Sequence, residues 1–155
     1  MFNCEEIRIL KQLSVLSPQA RREVRSYLEF LVAMQCRYEL RSRLLCNSWL
    51  YGGLLGLLNL PENSESYCEE VKERVKKLKQ MCFAAYEQIA EKYTELLGEI
   101  KGYEDVVEIL LIGLGQIEDA AQAENVSRIQ KEIVEMMETY KKLTGACRSS
   151  KVRAI

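Results

Sequence analysis

The chain contains no histidine in 155 residues. That removes Ser-His and Cys-His nucleophilic pairs, imidazole-bearing zinc sites and the Glu-x-x-His di-iron centre that helical bundles often carry. Proline is nearly absent, with Pro18 and Pro61 the only two, so few positions force a helix to stop. Aspartate is equally scarce: Asp105 and Asp119 stand among 23 acids, and the rest are Glu. Asp competes for its own backbone inside a helix and Glu does not, so this balance points to an all-α protein.

The six cysteines form no CxxC pair and no dense framework. Scattered singly at Cys4, Cys36, Cys46, Cys68, Cys82 and Cys147, they predict free thiols in a reducing, cytoplasmic setting. Cys82 falls on an apolar stripe and reads as a small core residue. No N-terminal targeting signal is read, because Cys4-Glu5-Glu6 interrupts any apolar run. Neither an internal repeat nor a convincing strand alternation is visible.

One further absence is local. Residues 44–61, LLCNSWLYGGLLGLLNLP, carry no charge in a chain that is 29% charged overall. The stretch is just long enough to span a bilayer, and Gly52 and Gly56 have the spacing of membrane helix pairs. Asn47, Ser48 and Asn59 lie within it, and the flanking segments are amphipathic, which weighs against integral insertion.

What is present is enough apolar sequence, 48%, for one real core. The expected architecture is an antiparallel up-down bundle of three long helices, broken into as many as five, with a short helix in front. It occupies residues 1–145 as a single domain, followed by a basic tail at 146–155. Charge is unevenly spread. Residues 1–43 carry +3, 62–101 carry −2, 102–140 carry −7 and 141–155 carry +5. A uniformly basic nucleic-acid binder would not show this pattern.

Helix signals recur along the chain. Asn3 can cap a first helix over residues 3–15, with Glu5 and Glu6 in its positive first turn. Ser17-Pro18 restarts the chain as a second helix. Ala20, Val24, Tyr27, Leu28, Leu31, Met34 and Tyr38 form its apolar stripe and are expected to be buried. That helix runs to about residue 58 or kinks at Gly52-Gly53. Ser66 with Glu69 reads as a capping box opening a third helix that lasts to about Ile100. Its stripe is Val71, Val75, Leu78, Cys82, Ala85, Ile89 and Leu96, with Tyr93 replacing the charged Lys92. Gly102 is a natural C-terminal cap. The next stripe, from Val106 to Ala121, loses phase around residues 123–127. Either Asn125 recaps a new helix there or the helix runs on with a stutter. Gly145 is expected to end it.

Few motifs carry chemistry. Gly113-Leu114-Gly115 has Glu118 where a dinucleotide loop needs glycine, so it reads as close helix packing. Glu87, Glu91, Glu95 and Glu99 form one row on one helix, which is a solvated face rather than a metal cage. Arg21, Arg22 and Arg25, at the start of the second helix, are the candidate nucleic-acid contacts. Residues 13–31, LSVLSPQARREVRSYLEFL, resemble the short helical segment of some small bacterial antitoxin-like and regulator-associated proteins. The resemblance rests on a Ser-Pro cap and an amphipathic helix, and no function is carried over from it.

By elimination, the sequence points to a non-enzymatic interaction or regulatory module. No cofactor or metal is expected. The expected partner is a second copy or another protein, with nucleic acid and membrane attachment through residues 44–61 as alternatives. The first helix is too short to cover the whole bundle, so residues 44–61 are expected to lie partly bare. Trp49, Leu50, Gly52, Gly53, Leu54, Gly56 and Leu57 are therefore the candidate interface.

Overall fold

The structure, a computed structural model, describes residues 2–98 and 104–151. All regular structure among them is helical: α1 (Cys4–Val15), α2 (Pro18–Arg41), a π turn (Ser42–Cys46), α3 (Trp49–Leu58), α4 (Tyr67–Leu97), α5 (Glu104–Gln122) and α6 (Val126–Lys151). The long helices pack against one another and the short α1 stands in front, as expected. No described helix is long and apolar enough to cross a membrane.

The starts of α1 and α2 follow the sequence signals. Asn3 accepts from the Glu6 amide at 2.8 Å while Glu6 accepts from the Asn3 amide at 2.7 Å. Ser17 Oγ accepts from the Ala20 amide, and Pro18 fills the first helical position. At α4 the expected box does not form. Ser66 makes no side-chain cap; its hydroxyl meets Ser64 Oγ at 2.9 Å, and Glu69 turns to Lys72 at 2.6 Å. The Ser64 hydroxyl competes for Ser66, and the lysine competes for the glutamate. Gly98 closes α4 with φ +69°, a conformation glycine adopts without a Cβ penalty. The expected cap Gly102, with Ile100 and Glu99, lies outside the described residues.

The second helix does not kink at Gly52-Gly53. It breaks earlier, through the π turn and the extended Asn47, and α3 then passes unbroken through both glycines. A helix break leaves carbonyls without partners. Two side chains take them here: Tyr140 donates to the Leu45 carbonyl at 2.6 Å, and Trp49 Nε1 to the Arg43 carbonyl at 3.2 Å. Gly53 serves a different end. A Cβ there would meet Leu78 Cδ2 at 2.6 Å, so the missing side chain lets α3 approach α4.

Of the two readings at residues 123–127, the structure shows the recapped one. Glu124 takes φ 52°, and Asn125 Oδ1 accepts from the Arg128 amide at 3.0 Å. The chain then folds back, so α5 and α6 pack as a hairpin. This return brings in a fourth helix. α3, α4, α5 and α6 close into a ring, each touching the next, while α2 lies along α4. α6 continues through Gly145 to Lys151, because one glycine costs a helix only about 1 kcal/mol.

The core runs through the ring. Leu44, Leu45, Leu50, Leu54 and Leu57 meet Val71, Val75, Leu110, Leu114, Ile117, Ile129 and Ile133, all fully enclosed. Each such side chain contributes about 1.5–3 kcal/mol of transfer free energy. Gly113 lets α6 approach α5, as the close-packing reading expects: a Cβ there would lie 2.2 Å from Met136 Sδ. Tyr93 is buried beside the exposed Lys92, as the broken stripe of α4 predicts.

Candidate interaction surface

The ring decides the fate of residues 44–61. Leu50, Leu54 and Leu57 are completely enclosed by their own chain, and Trp49 is half-buried at the stitched break. Gly53 faces Leu78, Gly56 faces the end of the Arg74 side chain, and only Gly52 looks onto open space. The stretch is spent on the core because the α5–α6 hairpin supplies a wall that three uninterrupted helices would lack.

The bare apolar surface lies elsewhere. From residue 2 to Gln35 no side chain is buried. α1 buries nothing and exposes Ile7, Ile9 and Leu10. On α2, Tyr27, Leu28, Phe30, Leu31, Met34 and Tyr38 are each between 42% and 62% exposed. These include most of the stripe expected to be buried, so that expectation is corrected. α2 has two apolar lines. Cys36 and Leu40 are buried, with Val32 and Ala33 packed beside them, and this line docks on the bundle. Tyr27, Leu31, Met34 and Tyr38 lie on roughly the opposite side of the helix at 100° per residue.

Polar contacts fix α2 in place at both ends. At the start, Arg21 donates to the Ser14 carbonyl at 2.6 Å and to the Leu16 carbonyl at 3.0 Å. It therefore clamps the α1–α2 turn. Arg22 donates to Gln19 at 2.7 Å, and Arg25 is exposed. All three candidate arginines are exposed, and two of them are held by bonds within the first turns.

At the other end, Lys92 Nζ donates to both carboxylate oxygens of Glu39, at 2.8 and 2.9 Å. Gln35 adds a third bond at 3.1 Å. These bonds, with Lys92 the largest influence, hold the Glu39 carboxyl down from 4.5 to about 2. Arg43 reaches Gln88 at 2.7 Å. Tyr38, Ser42 and Ile89 complete the lining of an open cleft of about 290 Å³ beside the π turn.

That cleft has little chemistry to offer. Its lysine is engaged by Glu39 and its arginine by Gln88. Burial pushes the nearby Cys36 thiol up, away from the reactive thiolate. Glu87, Glu91 and Glu95 are exposed, and no group of three potential metal-ligating side chains occurs among the described residues. No family model, curated protein or solved structure matches the chain.

The sequence reading missed this surface by assigning the wider stripe of α2 to the core. The signal that could have found it is the second line, Val32, Ala33, Cys36 and Leu40. α2 has two apolar sides, and among the described residues only one of them is covered.

Proposed function

We propose that the protein is a non-enzymatic interaction or regulatory module that works as a homo-oligomer. The observation that carries this reading is the unpartnered apolar side of α2, continued by exposed apolar groups on α1. Monomeric proteins tolerate scattered exposed apolar residues but rarely a contiguous row of them. Arg21 donates to two carbonyls of the turn, which gives it a structural role that weighs against the nucleic-acid alternative. The enclosure of Leu50, Leu54 and Leu57, with only Leu55 exposed among the leucines of residues 44–61, weighs against a membrane attachment there.

Sedimentation velocity of the full chain over a wide concentration range tests the reading. The expected result is a concentration-dependent species heavier than the 17.9 kDa chain. A strict monomer at every concentration overturns it.

A further inference from the structure

Resting on that reading, we infer that α2 pairs with α2 of a second copy in an antiparallel two-helix seam. The seam is read directly from the helix. Ala20, Val24, Tyr27, Leu31, Met34 and Tyr38 follow one another in alternating steps of four and three residues. That is the spacing of a coiled-coil seam. Tyr27, Leu31, Met34 and Tyr38 are exposed, while Ala20 and Val24 are half-buried. The bundle itself sits on the other side of α2, so it does not obstruct a helix laid along the seam.

Three properties select a second copy rather than an unrelated protein. The first is volume. Centred near Glu29, an antiparallel pair sets Ala20 beside Tyr38 of the second copy, Val24 beside Met34, and Tyr27 beside Leu31. The smallest groups meet the largest or most adaptable ones, as close packing requires. The second is charge. Antiparallel pairing places like flanking positions together, so Glu23 faces Arg37 of the second copy, twice by symmetry. Arg37 is engaged within its own chain, and a guanidinium with five donors can donate to a further carboxylate. Arg21 falls opposite Gln35, so no like charges oppose each other. At the two-fold axis Leu28 meets Leu28 and Phe30 meets Phe30, which extends the apolar centre where a dimer hot spot belongs. A parallel pair would instead set Glu23 against Leu28 and Phe30 against Gln35.

The third is area. Half-exposed Tyr27, Leu28, Phe30, Leu31, Met34 and Tyr38 offer roughly 600 Å² of side-chain surface per copy, which places the dimer at the lower end of specific interfaces. α1, which precedes α2 across the Ser17 turn, also exposes apolar side chains, Ile7, Ile9 and Leu10 among them.

The test uses the full-length chain in sedimentation velocity and in disulfide trapping. Leu31→Glu combined with Met34→Glu places four carboxylates in the dimer centre. It is expected to weaken self-association at least a hundredfold while leaving helicity and melting temperature unchanged from those of the wild type at dilutions where both are single chains, because both side chains face solvent in the single chain. A dimer that persists in this variant overturns the antiparallel seam and leaves the interaction-module reading standing. A strictly monomeric wild type overturns both, including one that floats with anionic vesicles.

Trapping distinguishes the direction, with cross-linked peptides identified by mass spectrometry. Leu28→Cys is expected to cross-link to itself under mild oxidation. Ala20→Cys is expected to cross-link only when mixed with Tyr38→Cys. Efficient self-linking of Ala20→Cys shows a parallel pair and overturns the proposed arrangement.

Discussion

At the scale of single residues, glycines show how one residue type serves different ends. Gly52 and Gly113 both sit inside helices, yet a methyl group at Gly52 meets nothing within 4 Å, while at Gly113 it meets Met136 Sδ at 2.2 Å. Replacing Gly52 by Ala relieves the helix cost of glycine and should raise stability by up to about 1 kcal/mol. Gly113→Ala gains the same propensity but must push a buried methionine out of place, an overpacking cost of about 1–3 kcal/mol. Urea denaturation of the two variants should therefore move the midpoint in opposite directions. The thiols divide in a similar way. Cys4 and Cys46 are exposed and should react at once with a thiol reagent. Cys36 and Cys82 are enclosed and should react only on unfolding. Burial pushes the Cys82 thiol up from 9.0 to about 11. A raised thiol pKa means that the folded protein holds the proton more tightly. The resulting stability is intact below pH 9.0 and is lost as the pH rises toward about 11. Chemical denaturation at a series of alkaline pH values should show that decline, and Cys82→Ala should reduce its slope.

At the scale of elements, capping separates what sequence can state from what packing decides. Ser17 and Asn125 both accept from backbone amides at helix starts, whereas Ser66 does not. Asn125→Ala and Ser17→Ala should each cost about 1 kcal/mol, and Ser66→Ala much less, as read from thermal melts. Ser17 and Ser66 were legible as boundaries, because small polar residues before apolar periodicity mark a helix start, while at Asn125 the loss of phase left a recap and a stutter equally open. Which hydroxyl makes the bond was not legible, since Ser64 and Lys72 compete for the two halves of the Ser66–Glu69 box. The break in the first long segment was misplaced for a related reason. Gly52-Gly53 is the stronger local signal, yet a break is stable where its carbonyls find donors. Trp49 is close in sequence, but Tyr140 is 95 residues away from Leu45. No local pattern announces that partnership. The same holds for residues 44–61. Their apolarity was plain, but whether it faced a core or a partner depended on residues 123–125 turning the chain back on itself.

At the scale of the whole molecule, stability is distributed unequally. α4 and α5 form the most closely packed side of the ring and share its enclosed side chains, with Lys79 and Glu118 bridging them at the surface. α1 and the first half of α2 contribute no buried side chain, so their backbone hydrogen bonds are sheltered mainly by the helix itself. Isolated helical segments of this length are marginal in water, and such regions open at far lower cost than a packed core. In a lone chain, the amides of residues 18–35 should therefore exchange much faster than those of α4. A partner laid along the seam changes this, because opening α2 would then also require separating two chains. Mass action makes that added cost grow with protein concentration. Hydrogen exchange measured at low and at high concentration should show protection rising across residues 18–35 while the α4 and α5 amides stay constant. Equal exchange at both concentrations, in a sample that sedimentation shows to be assembling, would move the contact away from α2 to another face of the bundle.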